Sequence, residues 1–360
     1  MTESWTLAVA RDDLSHTTVV PNAMPELRPG EAMLAVDRVG MTANNVTYAV
    51  LGGALRYWEF FPPSDRGLDE SWGLAPLWGF AEIVSSTVDG VAEGQRYFGY
   101  LPQAGHLIVR PARVDGRGFR DASPHRAELP SPYNVYAMTT GDAIYRTEDE
   151  DLLVLFRPLF FTSFMLADQV QDNDFYGADT VVMSSASSKT AYGAAFELAQ
   201  SHGKGRRLVG LTSPGNVDFT TELGCYDEVL TYDQLPQLGT AGAVVYLDLS
   251  GQPATRSALR ATLGPRLVRD IAVGLTNQVP NMDSADEFFF APNQMRKRAA
   301  DWGRDGLDTR FAEAWHRFAS TVRPLVDVTV SRGVDGLRAA WLDMCNGRTP
   351  PRAGHVIALR

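Results

Sequence analysis

Between residue 1 and about residue 150, apolar positions fall in short runs separated by Pro and Gly. The segments Ala32-Met-Leu-Ala-Val-Asp-Arg-Val, Ala81-Glu-Ile-Val, Gln95-Arg-Tyr-Phe-Gly-Tyr and His106-Leu-Ile-Val-Arg-Pro have the length and side-chain content of strands. Strands at this spacing predict a small all-β barrel or sandwich. Pro124, Pro130 and Pro132 give Asp121 to Pro132 the composition of a linker.

From about 150 to 290 the pattern changes to apolar strands alternating with helices. Thr180-Val-Val-Met, Arg207-Leu-Val-Gly-Leu-Thr, Val229-Leu-Thr-Tyr, Gly242-Ala-Val-Val-Tyr-Leu and Leu267-Val-Arg-Asp-Ile-Ala-Val are near-continuous apolar runs, as in strands buried on both faces. With an Ala-rich helix over Tyr192 to Gln200, they predict an α/β fold with a doubly wound parallel sheet. Beyond about 310 the order is helix Arg310 to Val322, strand Val326 to Val330, helix Val334 to Met344 and a last strand from His355. That tail has the texture of the first half and is expected to return to it. The apolar stretch Leu152 to Leu166 is interrupted by Arg157, Pro158, Thr162 and Ser163, and reads as too short and too polar to cross a bilayer.

Composition narrows the field. With 33 Lys plus Arg against 43 Asp plus Glu the net charge is −10, so the surface repels phosphate backbones and no nucleic acid is expected. Two cysteines, Cys225 and Cys345, make neither a disulfide framework nor a structural zinc site. The start, Met1-Thr-Glu-Ser-Trp-Thr-Leu, lacks the basic and apolar regions of a signal peptide. A soluble cytoplasmic protein without a membrane partner is the expectation.

Several segments are collinear with the medium-chain dehydrogenase/reductase superfamily. Ala43-Asn-Asn-Val-Thr-Tyr-Ala-Val-Leu-Gly-Gly is similar to the Asn-x-x-Asp…Gly segment of quinone oxidoreductases, with Asn44 on the motif Asn and Thr47 in place of its Asp. Val91-Ala-Glu-Gly-Gln-Arg-Tyr-Phe-Gly, Glu222-Leu-Gly-Cys-Tyr-Asp-Glu-Val-Leu-Thr-Tyr and the closing Arg338 to Leu359 also resemble that superfamily. Thr42 to Tyr48, Pro76 to Glu82 and Ser184 to Ala191 resemble a narrower, uncharacterised branch known as a domain of unknown function. The resemblance implies a GroES-like β domain over 1–149, a Rossmann domain over 150–310 and a return segment over 311–360. It also implies a nicotinamide cofactor, a substrate side lined by the Asn44 segment, and a homodimer. Where zinc-dependent relatives carry Gly-His-Glu, this chain reads Pro76-Leu-Trp-Gly-Phe-Ala-Glu, so no metal is expected.

In a dinucleotide fold the first strand runs through a turn into a helix whose N-terminus meets the pyrophosphate. Here that turn is Ser184-Ser-Ala-Ser-Ser-Lys-Thr-Ala-Tyr-Gly. Ser187, Ser188, Lys189 and Thr190 replace the usual glycines as side-chain donors, and Gly193 reads as a helix–sheet packing glycine. A plain capping role fits the same Ser and Thr residues. A Walker-type loop lacks its cradle, because no Gly lies between Gly177 and Gly193. NAD binders place an acid at the end of the second strand, but this chain has Gly210-Leu-Thr-Ser-Pro-Gly-Asn and no acid before Asp218. Thr212, Ser213 and Asn216 could donate to the extra phosphate, so NADPH is expected over NADH. The same residues also suit a simple turn.

Thr42, Asn44, Asn45, Thr47 and Tyr48 cluster polar groups within seven positions, and Tyr57, Trp58, Phe60, Phe61, Trp72 and Trp78 follow. Aromatic walls suit a small hydrophobic or conjugated carbonyl substrate, although most of these rings fit a core equally well. The expected reaction is hydride transfer from NADPH to an enone, quinone or enoyl-type carbon. Asn44 or Asn45 would steady the developing oxyanion, Thr47 lines the site and Tyr48 supplies the proton. A ketone or aldehyde reductase, and a lyase, nucleotide sensor or scaffold on the same fold, remain alternatives. Arg296, Lys297 and Arg298, following Asp286-Glu-Phe-Phe-Phe, could grip an anion or form a solvated face. His202 reads as a helix C-terminal cation. His106, His125, His316 and His355 have no metal or triad spacing.

Overall fold

The computed structural model describes residues 4–200, 205–239, 242–273 and 287–360, so His202 and Asp286 lie outside the described residues. The chain divides into two compact units, one of residues 1–155 and 327–360, the other of 156–326. The bounds that the resemblance implies are 149/150 and 310/311. The second difference arises because the helix expected from Arg310 begins at Ala291 and runs to Val322 with a break at Gly303. In its later part Trp315 meets Phe160 edge to face and Phe318 stacks on it, within the second unit.

The first unit is built on a nine-stranded sheet. Its centre is Ala32–Met41, flanked by Leu77–Ser86 on one side and by the chain's last strand, Ala353–Ala358, on the other. Asp327–Arg332 adds parallel to that last strand, so the C-terminal tail does return to the β domain. Ser4–Ala10 pairs with Thr17–Asn22 and Trp72–Gly73 in a smaller sheet. Close packing requires glycine at position 40, where a Cβ would stand 2.2 Å from the Val154 carbonyl oxygen. Within the apolar core sits an ion pair, Arg126 Nε to Asp121 Oδ2 at 3.3 Å, both side chains 1% exposed. The Arg126 guanidinium lies over the Phe61 ring at 4.8 Å, which offsets part of its desolvation.

In the second unit six strands form one parallel sheet: β1 (Thr180–Met183), β2 (Arg207–Thr212), β3 (Glu228–Thr231), β4 (Val244–Asp248), β5 (Leu267–Val273) and β6 (Glu287–Phe289). Their spatial order is β3-β2-β1-β4-β5-β6 and every pair is parallel. This is the doubly wound order, with its reversal between β1 and β4, the crevice where such folds take ligands. β1 and β4 are buried at every position, as their uninterrupted apolar runs require.

The apolar stretch beginning at Leu152 is longer than its sequence suggested, a helix over Glu150–Asp172 with Pro158 inside. By length and composition it could cross a membrane, but most of it is buried inside the protein. Leu153, Leu155, Phe156, Phe160, Met165 and Leu166 are all fully covered. Gly193 faces this helix rather than the sheet, since a Cβ there would meet Ser163 Oγ at 2.7 Å and Phe160 at 3.3 Å. Its expected role as a helix–sheet packing glycine is therefore corrected to helix–helix packing.

Candidate functional site

Three strand ends fix the loop after β1. Ser185, at φ +50°, occupies the left-handed region that a non-glycine residue adopts only when its surroundings enforce it. Its backbone N–H donates to the Tyr232 hydroxyl at 3.0 Å, just past β3. Ala186 N–H donates to the Leu211 carbonyl of β2 at 3.0 Å, and the Tyr226 hydroxyl donates to the Ala186 carbonyl at 3.0 Å. Gly210 makes this approach possible, because a Cβ there would lie 2.8 Å from that of Ala186. These bonds impose the turn that glycines impose elsewhere.

The structure brings three of the expected cofactor residues together. Ser187 Oγ accepts from Thr212 Oγ1 at 3.3 Å and from Asn216 Nδ2 at 3.2 Å, joining the ends of β1 and β2. Ser188 caps helix Lys189–Ala199 by accepting from the Ala191 N–H at 3.3 Å, so the capping reading holds for this residue. Lys189 begins that helix with its ammonium 5.6 Å over the Phe156 ring, and burial pulls its pKa down to about 8. Thr190 follows, its carbonyl accepting from Ser163 Oγ at 2.7 Å. Ser213 is exposed before the Pro214–Asn216 turn. Arg206 and Arg207 sit at the other end of β2, paired with Asp174 and Glu228.

In the first unit, helix Ala43–Val50 sorts the second group by face. Asn44 and Tyr48 are one turn apart and share a face. Trp78 Nε1 donates to the Tyr48 hydroxyl at 3.0 Å, and the Tyr133 ring meets that of Tyr48 edge to face. Burial pushes the Tyr48 phenol well above its ordinary range, so it is a protonated donor at neutral pH. Asn45 points inward instead. Its Oδ1 accepts from the Thr42 N–H at 2.7 Å and its Nδ2 donates to the Pro76 carbonyl at 3.0 Å, so it closes a helix cap. With both ends of its amide engaged it does not serve as an oxyanion donor, which corrects that expectation. Thr47 is exposed and bonds the Ala43 carbonyl of its own helix at 3.2 Å. Trp58, Phe60 and Phe61 are core residues.

Arg298 bonds Asp168 at 2.7 Å and Asp172 at 2.8 Å, and Lys297 bonds Asp172 at 2.9 Å. Lys297 and Arg298 are thus tied to helix Glu150–Asp172 and are not the anion grip they resemble in sequence, while Arg296 bonds Asn293 one turn back. Burial pushes the Cys225 thiol up to about 12, leaving it inert. Among the described residues no group of three or more His, Cys, Asp and Glu side chains converges on a metal-sized point.

One cluster escaped sequence reasoning. Asp248, at the end of β4 and 1% exposed, accepts from Ser184 Oγ at 2.9 Å, Tyr246 Oη at 3.0 Å and Arg256 Nη2 at 2.7 Å. Arg256 Nε also lies 3.4 Å from the buried Asp270 of β5. Ser184 is the last residue before the loop turns, so this network anchors the loop at the reversal point. The available signal was Asp248-Leu-Ser-Gly closing an apolar run.

Residues 39–350 match the family described as protein of unknown function (DUF2855). No protein of curated function matches the sequence. Among solved structures, CurA in complex with NADPH from Vibrio vulnificus is similar at a TM-score of 0.64 and 11% identity over 99% of each chain. The quinone oxidoreductase from Coxiella burnetii is similar at 0.54 and 13% over 100% of each. The CurF ER cyclopropanase from the curacin A biosynthetic pathway is similar at 0.58 and 15% over 99% of each. What these structures share with this chain is the fold, a GroES-like β domain with a Rossmann domain.

Proposed function

The chain belongs to the DUF2855 family, and we propose that it is a zinc-independent NADPH-dependent reductase of small conjugated carbonyl compounds, enones or quinones. The single observation that carries this reading is the hydroxyl of Tyr48, held protonated and ringed by Trp78, Asn44 and Tyr133. NADPH in the CurA structure adds support from the same fold.

The residues at the ends of β1 and β2 fit this cofactor. The N-terminus of helix Lys189–Ala199 offers backbone N–H groups and a favourable dipole to a diphosphate. Ser187, Thr212 and Asn216 form a hydroxyl and amide group at the place where a ribose would be read, with no carboxylate to repel a 2′-phosphate. The bound cofactor supplies a hydride.

The protein's own residues manage the proton. Trp78 directs its indole N–H at the Tyr48 oxygen, which leaves the phenolic hydrogen to be given away. When hydride reaches an electrophilic carbon, Tyr48 donates this proton to the neighbouring carbon, and the Trp78 N–H stabilises the phenolate that remains. The surrounding rings exclude water. The test is titration with NADPH and NADH by nicotinamide fluorescence, followed by assays with 2-cyclohexen-1-one and 1,4-benzoquinone. NADPH bound well ahead of NADH, with turnover, is the expected result. Absence of both binding and turnover would hand the site to a non-redox role.

A further inference from the structure

Tyr48 does not stand alone. Its ring lies 4.7 Å from that of Tyr57 and 6.3 Å from that of Tyr133, and the Tyr57 and Tyr133 rings are 5.7 Å apart. The hydroxyls line up as a chain: Tyr57 bonds Tyr133 at 3.2 Å, and the Tyr133 ring stands edge-on against that of Tyr48. Exposure grades along it, since Tyr48 is 6% exposed while Tyr57 and Tyr133 are half-buried. A fourth phenol, Tyr100, contacts the rings of both Tyr48 and Tyr133, yet its own hydroxyl has no hydrogen-bond partner among the described residues.

A core needs no such chain. Phenylalanines would fill the same volume without the desolvation cost of buried hydroxyls. Trp78 Nε1 donates to the Tyr48 oxygen at 3.0 Å, a bond that strengthens when that oxygen is negative. An acid that gives up its proton every turnover must recover it, and water reaches a covered hydroxyl poorly.

We propose that Tyr133 and Tyr57 are a proton relay that recharges Tyr48 from solvent, an inference that rests on the reading of Tyr48 as the acid. The steps balance without any redox change. The Tyr48 O–H bond breaks, its proton passes to the substrate carbon, and the electron pair stays on the Tyr48 oxygen. The Tyr133 proton moves to that oxygen, the Tyr57 proton moves to Tyr133, and solvent water or hydronium reprotonates Tyr57. Tyr133 and Tyr57 act through Tyr48 and touch no substrate.

Tyr133→Phe keeps the ring and removes the link. With NADPH and 2-cyclohexen-1-one in stopped flow, its first turnover should run within about twofold of wild type and later turnovers roughly tenfold or more slower. A solvent deuterium effect should appear in the slow phase only. Tyr100→Phe, which removes a hydroxyl outside the chain, should match wild type in both phases. Later turnovers at the wild-type rate in Tyr133→Phe would overturn the relay, as would equal slowing of first and later turnovers, which would make Tyr133 a support for Tyr48 alone. If Tyr48→Phe reduces the enone as fast as wild type, the acid reading itself is lost. If wild type reduces no enone, reading and relay fall together.

Discussion

Trp78 donates its indole N–H to the Tyr48 hydroxyl at 3.0 Å, across two elements thirty residues apart. The bond fixes the phenol's orientation and occupies one lone pair, which leaves its hydrogen to be given away. Tyr48→Phe is expected to lower turnover by about 10²–10⁴ while leaving NADPH affinity unchanged, since no cofactor-binding residue is touched. Steady-state rates beside a fluorescence titration check both halves. Trp78→Phe should lower turnover less, because the phenol and its proton remain.

Cofactor choice depends on what is missing after β2. Ser213 is exposed directly after β2, and under the proposed reading it faces the ribose, where NAD binders carry an acid. Ser213→Asp should weaken NADPH binding by more than about tenfold through like-charge repulsion and leave NADH binding equal or improved. Equal weakening of both would mean that this turn does not face the ribose.

Lys189 gives the same site a pH dependence. Its pKa of about 8 reflects burial, so the ammonium is lost as pH rises through that value. NADPH affinity should therefore fall between pH 7 and 9 in wild type. Lys189→Met should bind weakly and show a flat profile over that range.

His106 supplies a stability prediction. Arg66 Nη1 contacts its Nε2 at 2.8 Å, and a guanidinium only donates, so Nε2 accepts and the ring's one hydrogen sits on Nδ1, facing Ser4 Oγ. A proton on Nε2 would oppose the guanidinium. Burial, and then Arg66, hold the pKa down to about 4. The unfolded chain binds this proton near pH 6.5 and the folded chain does not, so stability is fully present above pH 6.5 and lost as pH falls towards 4. Between pH 7.5 and 5 the loss should be about 1–2 kcal/mol, the lower figure allowing for solvent screening. His106→Gln should remove this slope in urea unfolding; an unchanged slope would assign it to other groups.

How far the sequence could be read follows from the range of the interactions. Val181, Val182, Val245 and Leu247 are legible as buried strands because burial on both faces leaves no polar position in the run. Tyr48 is legible because Asn44 lies one helical turn before it. Asn45 is not, since its cap bond to Pro76 spans thirty-one residues and competes with any catalytic task. Lys297 and Arg298 look free for the same reason: Asp168 and Asp172, which neutralise them, lie more than a hundred residues earlier. Charge runs and side-chain clusters are local in sequence, whereas their partners are not.

The network around Arg256 is the severest case of that kind and yields the last prediction. Arg256, Asp248 and Asp270 are 3%, 1% and 0% exposed, with the guanidinium between two carboxylates that are kept apart by their strands. Arg256→Leu fills a similar volume but leaves Asp248 with only neutral partners and Asp270 with Arg260 as its cation. Breaking a buried pair from one side costs about 3–5 kcal/mol, and the cost falls where Ser184 anchors the loop. Burial already raises the Asp270 pKa, and losing Arg256 raises it further. The folded variant then takes up a proton more readily than its unfolded chain does. Its deficit relative to wild type should be largest near pH 7.5 and shrink towards pH 5. Thermal unfolding of both proteins across that range, with NADPH titration of the variant, measures the two effects together. A deficit independent of pH would mean that lost packing, not uncompensated charge, is what the substitution removes.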